Sequence, residues 1–149
     1  CTGKILGSSF VRLGNDAVDV SGSSIEIVEM TVKGAGDKGI SAGENSRVTA
    51  RKIQIEDADM GVASKDMSRV TLYDPVILRS RIGLTVFQKK PEFGPGFIHV
   101  HGDQISDTEF PFLVETGSRL RRGSQEISAN IADIDAKLYP PEKGEQDGR

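Results

Sequence analysis

The chain has no tryptophan, a single cysteine and few aromatic side chains, 5% of the total. A lone cysteine, Cys1, excludes an internal disulfide framework and any cysteine-rich zinc site. An excess of positive charge is also missing: 19 basic against 22 acidic side chains leave a formal net charge of −3. A protein that tracks phosphates needs a basic stripe, so nucleic acid is not an expected partner. No apolar run reaches the ~18 residues that a membrane-spanning helix requires, and no transmembrane segment is expected. The opening Cys1-Thr2-Gly3-Lys4 does not read as a signal peptide, because no apolar stretch follows a basic one. What is plentiful is glycine, 17 of 149 residues. In a chain long enough to bury one core, that balance suits a turn-rich β protein.

The strongest positive signal is self-similarity at a spacing of 22 residues. A small–Asx–x–small–aliphatic unit recurs as Gly14-Asn15-Asp16-Ala17-Val18, Gly36-Asp37-Lys38-Gly39-Ile40 and Ala58-Asp59-Met60-Gly61-Val62. A looser copy follows in register as Ser80-Arg81-Ile82-Gly83-Leu84. Ser24, Ser46 and Ser68 keep the spacing, and Arg47-Val48-Thr49 returns as Arg69-Val70-Thr71. A fixed period of this size means one structural unit stacked on copies of itself. The chain opens in what reads as the middle of a unit, so upstream domains of a larger chain are expected.

Inside each unit the apolar positions alternate over four or five residues, which marks half-buried strands rather than helices. Val18/Val20, Ile40/Ala42, Val62/Ser64 and Leu84/Val86 form one set. Ile25/Ile27, Val48/Ala50, Val70/Leu72 and Ile98/Val100 form a second. Met30/Val32, Ile53/Ile55 and Val76/Leu78 form a third. Three short strands broken by Gly, Ser, Asn and Asp make one coil of a β-solenoid. Successive coils would pair as parallel strands and stack equivalent side chains into ladders. Val18–Ile40–Val62–Leu84 is the expected inward ladder, and Ala17–Gly39–Gly61–Gly83 the expected ladder at tight corners.

Over about residues 15–120, and most specifically Asn15–Val86, the pattern resembles the right-handed parallel β-helix of the pectin-lyase-like superfamily. The resemblance implies an all-β solenoid with ~22 residues per coil and about five coils over 1–127. A capping helix over 128–139 is expected from Ile131, Ile134 and Leu138, followed by a disordered tail over 140–149. The superfamily holds polysaccharide lyases, hydrolases, epimerases, phage tailspikes and non-catalytic surface domains, so the fold transfers and the activity does not.

Four features could carry chemistry. Asn15, Asp37 and Asp59 should stack in a column whose oxygens would suit calcium, which pectate lyases of that superfamily bind. The plainer reading has them capping turns, with Lys38 and Arg81 balancing charge, and no cofactor or metal is expected. His99 and His101 leave one strand face together, but Thr71 and Arg121 are the expected neighbours of His99, and a cation disfavours a metal pair. Arg51, Tyr73 and His101 should lie side by side on three coils, where they could supply the cation, acid and base of a polysaccharide lyase. The fourth unit carries an insertion, Val86–Gly96, after which the pattern returns at a spacing of 28 residues. Its Phe87, Lys89 and Lys90 could meet a sugar ring and its acid groups.

These features predict a C-terminal segment of a parallel β-helix that acts as a rigid scaffold or carbohydrate-facing surface. Arg51, Tyr73, Phe87, Lys89 and His101 are the expected carbohydrate contacts, and an acidic polysaccharide is the expected partner. A polysaccharide lyase or epimerase, or a cell-surface or phage adhesion module, are the alternatives. The resemblance implies a secreted or cell-surface location.

Overall fold

The structure is a computed structural model that describes residues 1–134. Among these the chain is all β, with no helix, and it winds as a parallel solenoid. The first sheet stacks six rungs: β1 (Thr2–Leu13), β3 (Ser24–Ala35), β5 (Arg47–Glu56), β7 (Arg69–Tyr73), β10 (Phe97–His101) and β13 (Arg119–Arg122). Each pairs in parallel with the next. Two short strands, β8 (Val76–Leu78) and β11 (Gln104–Ser106), continue that sheet past a corner. The second sheet stacks β2 (Val18–Ser21), β4 (Lys38–Gly43), β6 (Met60–Lys65), β9 (Ile82–Phe87) and β12 (Phe110–Val114), all parallel. The sixth rung is β1, which brings the count above the five coils expected.

Ladders follow from this register. Val18, Ile40, Val62, Leu84 and Phe112 stand opposite one another across the second sheet. Val48, Val70, Ile98 and Leu120 do the same across the first. Both ladders face one apolar lumen and pack into a single cluster. Fully burying an aliphatic side chain stabilises by roughly 1.5–3 kcal/mol, so each buried member of these columns contributes on that order.

Corners are set by left-handed backbone. Gly7, Glu29, Lys52, Asp74 and Gly102 fall opposite one another and all have φ between 51 and 64°. A second such ladder holds Arg12, Gly34, Asp57, Arg79 and Asp107. Non-glycine residues pay to enter this region. Several at these corners carry opposite charges that pair between rungs, Lys52 with Glu29 at 3.7 Å and Arg79 with Asp57 at 2.9 Å.

Gly39, Gly61 and Gly83 serve close approach rather than positive φ. A Cβ on Gly61 would lie 2.6 Å from the Gly83 carbonyl oxygen and 2.9 Å from Ile77. Two details of the expected pattern shift. The inward residue of β8 is Ile77, opposite Ile55, while Val76 and Leu78 are partly exposed. Val76-Ile77-Leu78 is apolar throughout, so alternation cannot choose its face. The serine ladder continues through Ser23 instead of Ser24, because Ser24 stands opposite Arg47. Ser46 Oγ accepts the Ser23 amide, Ser68 Oγ the Ser46 amide, and Ser118 Oγ the Gly96 amide.

The two ends differ. Among the described residues β1 is paired only on its β3 side, and its Leu6 and Val11 are 62% and 53% exposed. At the other end β14 (Gln125–Ile127) folds back antiparallel onto β13. Asn130 then completes the edge of β12: its Oδ1 accepts the Val114 amide and its Nδ2 donates to the Phe112 carbonyl. Residues 128–134 are not helical. Ile131 bridges to Glu115, and Ile131 and Ile134 pack on the second sheet. The remainder of the expected helix, 135–139, and the tail over 140–149 lie outside the described residues.

Candidate binding face on the first sheet

Alternation sends Val48, Ala50, Val70, Leu72, Ile98, Val100 and Leu120 inward, so the residues between them face out. Three outward columns result. Arg47, Arg69, Phe97 and Arg119 form the first, Thr49, Thr71, His99 and Arg121 the second, and Arg51, Tyr73 and His101 the third. His99 therefore has Thr71 and Arg121 as its neighbours, and the Arg51–Tyr73–His101 ladder is present as a contiguous set.

The third column is closely stacked. The Arg51 guanidinium lies 4.1 Å from the Tyr73 ring centre, and Tyr73 stacks on His101 at 4.8 Å with 7° between planes. The His99 ring is 4.0 Å from that of His101, and His99 Nε2 lies 3.1 Å from the Gly123 carbonyl oxygen. With Arg51 and His101 on its two sides, Tyr73 offers an incoming group its edge and hydroxyl. In the first column the Arg69 guanidinium lies 5.3 Å from the Phe97 ring centre.

Charge on this face is uneven. Arg119 is held by Glu126 at 2.6 Å. Arg47, Arg51, Arg69 and Arg121 have no ion-pair partner among the described residues. Adjacent rungs are ~4.8 Å apart. Like charges at that spacing repel by roughly 1 kcal/mol in water. Parallel stacking thus concentrates positive charge on one face of a chain whose net charge is negative.

Among the described residues no group of three His, Cys, Asp or Glu is placed to hold a metal. The Asn15–Asp37–Asp59 column lies elsewhere, at the start of the second-sheet strands, and it carries its own cations. Arg81 donates to both Asp59 carboxylate oxygens at 2.8 and 3.0 Å. Lys38 Nζ lies 3.1 Å from Asp37 and 3.9 Å from Asp16, and the Lys38 amide donates to Asp16 Oδ1 at 2.9 Å. Burial pushes the Asp16 carboxyl above its ordinary value against the pull of Lys38. Asp16 thus caps the Lys38 amide, while Lys38 and Arg81 set cations against Asp37 and Asp59.

The insertion does not join the ladder. Phe87 is 2% exposed, packed with Met60, Ile82, Leu113 and Ile134, so its ring has no free face for a sugar. Lys89 is exposed, but its amide and that of Lys90 donate to the buried Asp66 Oδ1 at 2.7 and 2.8 Å. Lys90 Nζ reaches Glu44 at 2.6 Å. The loop is strapped to earlier coils, and only its end, Pro95-Gly96, touches the first-sheet face. There a cleft of about 360 Å³ opens beside Arg69, Phe97, Arg119 and Arg121. Sequence reasoning missed this first column. The recurrence of Arg47-Val48-Thr49 as Arg69-Val70-Thr71 was its visible signal, and the offset that sets Thr71 beside His99 and His99 beside Arg121 also sets Arg69 beside Phe97 and Phe97 beside Arg119.

Comparison of the chain with family models, curated proteins and solved structures finds no match.

Proposed function

We propose that this chain is a rigid solenoid scaffold whose first-sheet face contacts an acidic polysaccharide. The carrying observation is the set of four arginines without carboxylate partners, ordered on parallel rungs beside the Tyr73–His101 stack. Guanidinium groups bind carboxylate and sulfate oxygens in bidentate fashion, and a rigid β-ladder spaces them along the solenoid axis. A linear polymer carrying regular negative charge is the complement of such a column. We take the solenoid to be right-handed, since parallel crossovers almost always are. We place it as a segment of a larger secreted or cell-surface protein, with the pectin-lyase-like superfamily as the resemblance behind that placement.

The test is binding of the chain to polygalacturonate, a sulfated glycan and neutral dextran at several salt concentrations. Salt-sensitive binding to the acidic polymers, weakened in Arg51→Ala, is expected, with no change in the polymer. A lyase would instead release a 4,5-unsaturated uronate, and its ultraviolet absorbance, lost in Tyr73→Phe, would replace the scaffold reading with a catalytic one. Equal affinity for neutral dextran would sink the charge argument.

A further inference from the structure

We infer that the cleft beside Arg69, Phe97, Arg119 and Arg121 is a subsite for a single oxyanion carried on a sugar ring, either a uronate carboxylate or a sulfate ester. The inference rests on the acidic-polysaccharide reading and adds to it the place where one charged group is seated.

Three rungs build the subsite. Phe97 stands opposite Arg69 on one side and Arg119 on the other, and His99 opposite Arg121, and the three arginines and Phe97 line one cleft. Arg69 lies against Phe97, 5.3 Å from its centre, which orients its planar fork over an apolar floor. Arg119 shows what the position holds: it donates through Nε and Nη2 to Glu126 Oε1 at 3.1 and 2.6 Å. Glu126 comes from β14, the antiparallel neighbour of β13, where it stands opposite Arg121 in register, yet its carboxylate pairs only with Arg119. Arg69 and Arg121 remain without an ion-pair partner among the described residues. Gly117, at φ 95° and with open space where a Cβ would lie, leaves one wall bare.

The volume, about 360 Å³, sits at the low end of the ~300–1,000 Å³ typical of small-ligand sites. It admits one ring-sized group and its acid substituent rather than a folded partner. Carboxylate and sulfate would meet the same two free guanidinium groups, so the chemistry is shared and the source is left to the probes.

The experiment titrates the full chain with oligogalacturonate, with a sulfated dextran oligosaccharide and with single-stranded DNA of similar length, and separately with the monosaccharides galacturonate and glucose 6-sulfate. The double variant Arg69→Gln/Arg121→Gln should weaken the preferred anionic oligosaccharide at least tenfold. Glu126→Gln frees Arg119 and should tighten binding severalfold, a gain that a folding defect cannot mimic. The tighter of the two sugar classes identifies the anion. If monosaccharide acids bind but neither polymer does, the subsite stands and the polysaccharide surface falls. If the polymers bind and neither variant alters affinity, the surface stands and the subsite falls. DNA binding as tightly as the sugars would overturn the sugar assignment, and no binding by any probe would overturn both.

Discussion

The outer faces of the two sheets are opposites, although the same coils build both. From β5 to β13 the outward positions of the first sheet are Arg, Thr, His, Tyr and Phe, open or half-open to water. On the second, the outward Ser41, Ala63 and Thr85 are fully buried, and Met60, Ile82, Phe87 and Leu113 form an apolar cluster with Ile131 and Ile134. Across β4, β6 and β9 the second sheet is therefore covered on both sides. That is why β9, Ile-Gly-Leu-Thr-Val-Phe, reads as nearly continuous hydrophobic sequence, while β7, Arg-Val-Thr-Leu-Tyr, alternates. A repeat makes coils alike, but it does not make their faces equivalent. One face is committed to packing and the other is left available to a ligand.

The largest test places the same carboxylate at three positions. Val62→Asp puts an unpaired charge in the lumen and should abolish cooperative folding. Ala63→Asp points the other way, yet it too enters a buried face and should destabilise by several kcal/mol. Thr71→Asp, on the first-sheet face near Arg121 and His99, should cost about 1 kcal/mol or less. Urea unfolding midpoints rank the three. If Ala63→Asp proves as mild as Thr71→Asp, the second sheet has a free outer face and the asymmetry is wrong.

A more moderate pair sharpens the division of labour. Phe87→Ala removes a buried ring from the second cluster and should cost ~3–5 kcal/mol. It should leave anion binding by the folded fraction unchanged. Gly61→Ala crowds a backbone carbonyl and the Ile77 side chain, an overpacking penalty of ~1–3 kcal/mol. Thermal melts and glycan titrations on the same samples separate stability from binding. Loss of affinity in folded Phe87→Ala would return that ring to the list of sugar contacts.

How far the sequence could be read depends on whether a position obeys the period. The inward Val18–Ile40–Val62–Leu84 ladder and the Arg51–Tyr73–His101 column were legible because strict spacing and alternation determine which side chains become neighbours. Val76–Leu78 was not, since an unbroken apolar run carries no facing information. Phe87 was misread because a large aromatic beside two lysines looks exposed, and nothing local announces that Met60, Ile82, Leu113 and Ile134 gather around it. The non-helical path of 128–134 escaped because the edge of β12 is satisfied by the Asn130 amide, a tertiary contact invisible to propensity. Arg121 was placed beside His99 by the same spacing, but the column that Arg47, Arg69, Phe97 and Arg119 form was not drawn from it.

The smallest expected effect is the acid dependence of the corner and loop pairs. Glu44 is held below its ordinary carboxylate value chiefly by the hydrogen bond from Lys90, and Glu56 by that from Arg79. Each is lower in the folded than in the unfolded chain, so each contributes stability that is complete above the ordinary glutamate range. That contribution is lost as pH falls through the folded value. Asp16 has the opposite sign: burial raises it, the folded chain takes up a proton more readily, and acidification through the ordinary aspartate range favours folding there. Two groups against one predict a shallow net loss of stability in acid, limited because Glu44 and its partner are well solvated. Melting temperatures from pH 7 down to pH 3 should fall less steeply in Glu44→Gln/Glu56→Gln than in the unmodified chain, and more steeply in Asp16→Asn. Because Glu44 and Lys90 strap the inserted loop to the coils beside the second sheet, the double variant should also speed proteolysis within 88–95 while leaving glycan affinity unaltered. An unchanged acid limb with weakened glycan binding would mean that the loop serves the first-sheet face rather than the packed one.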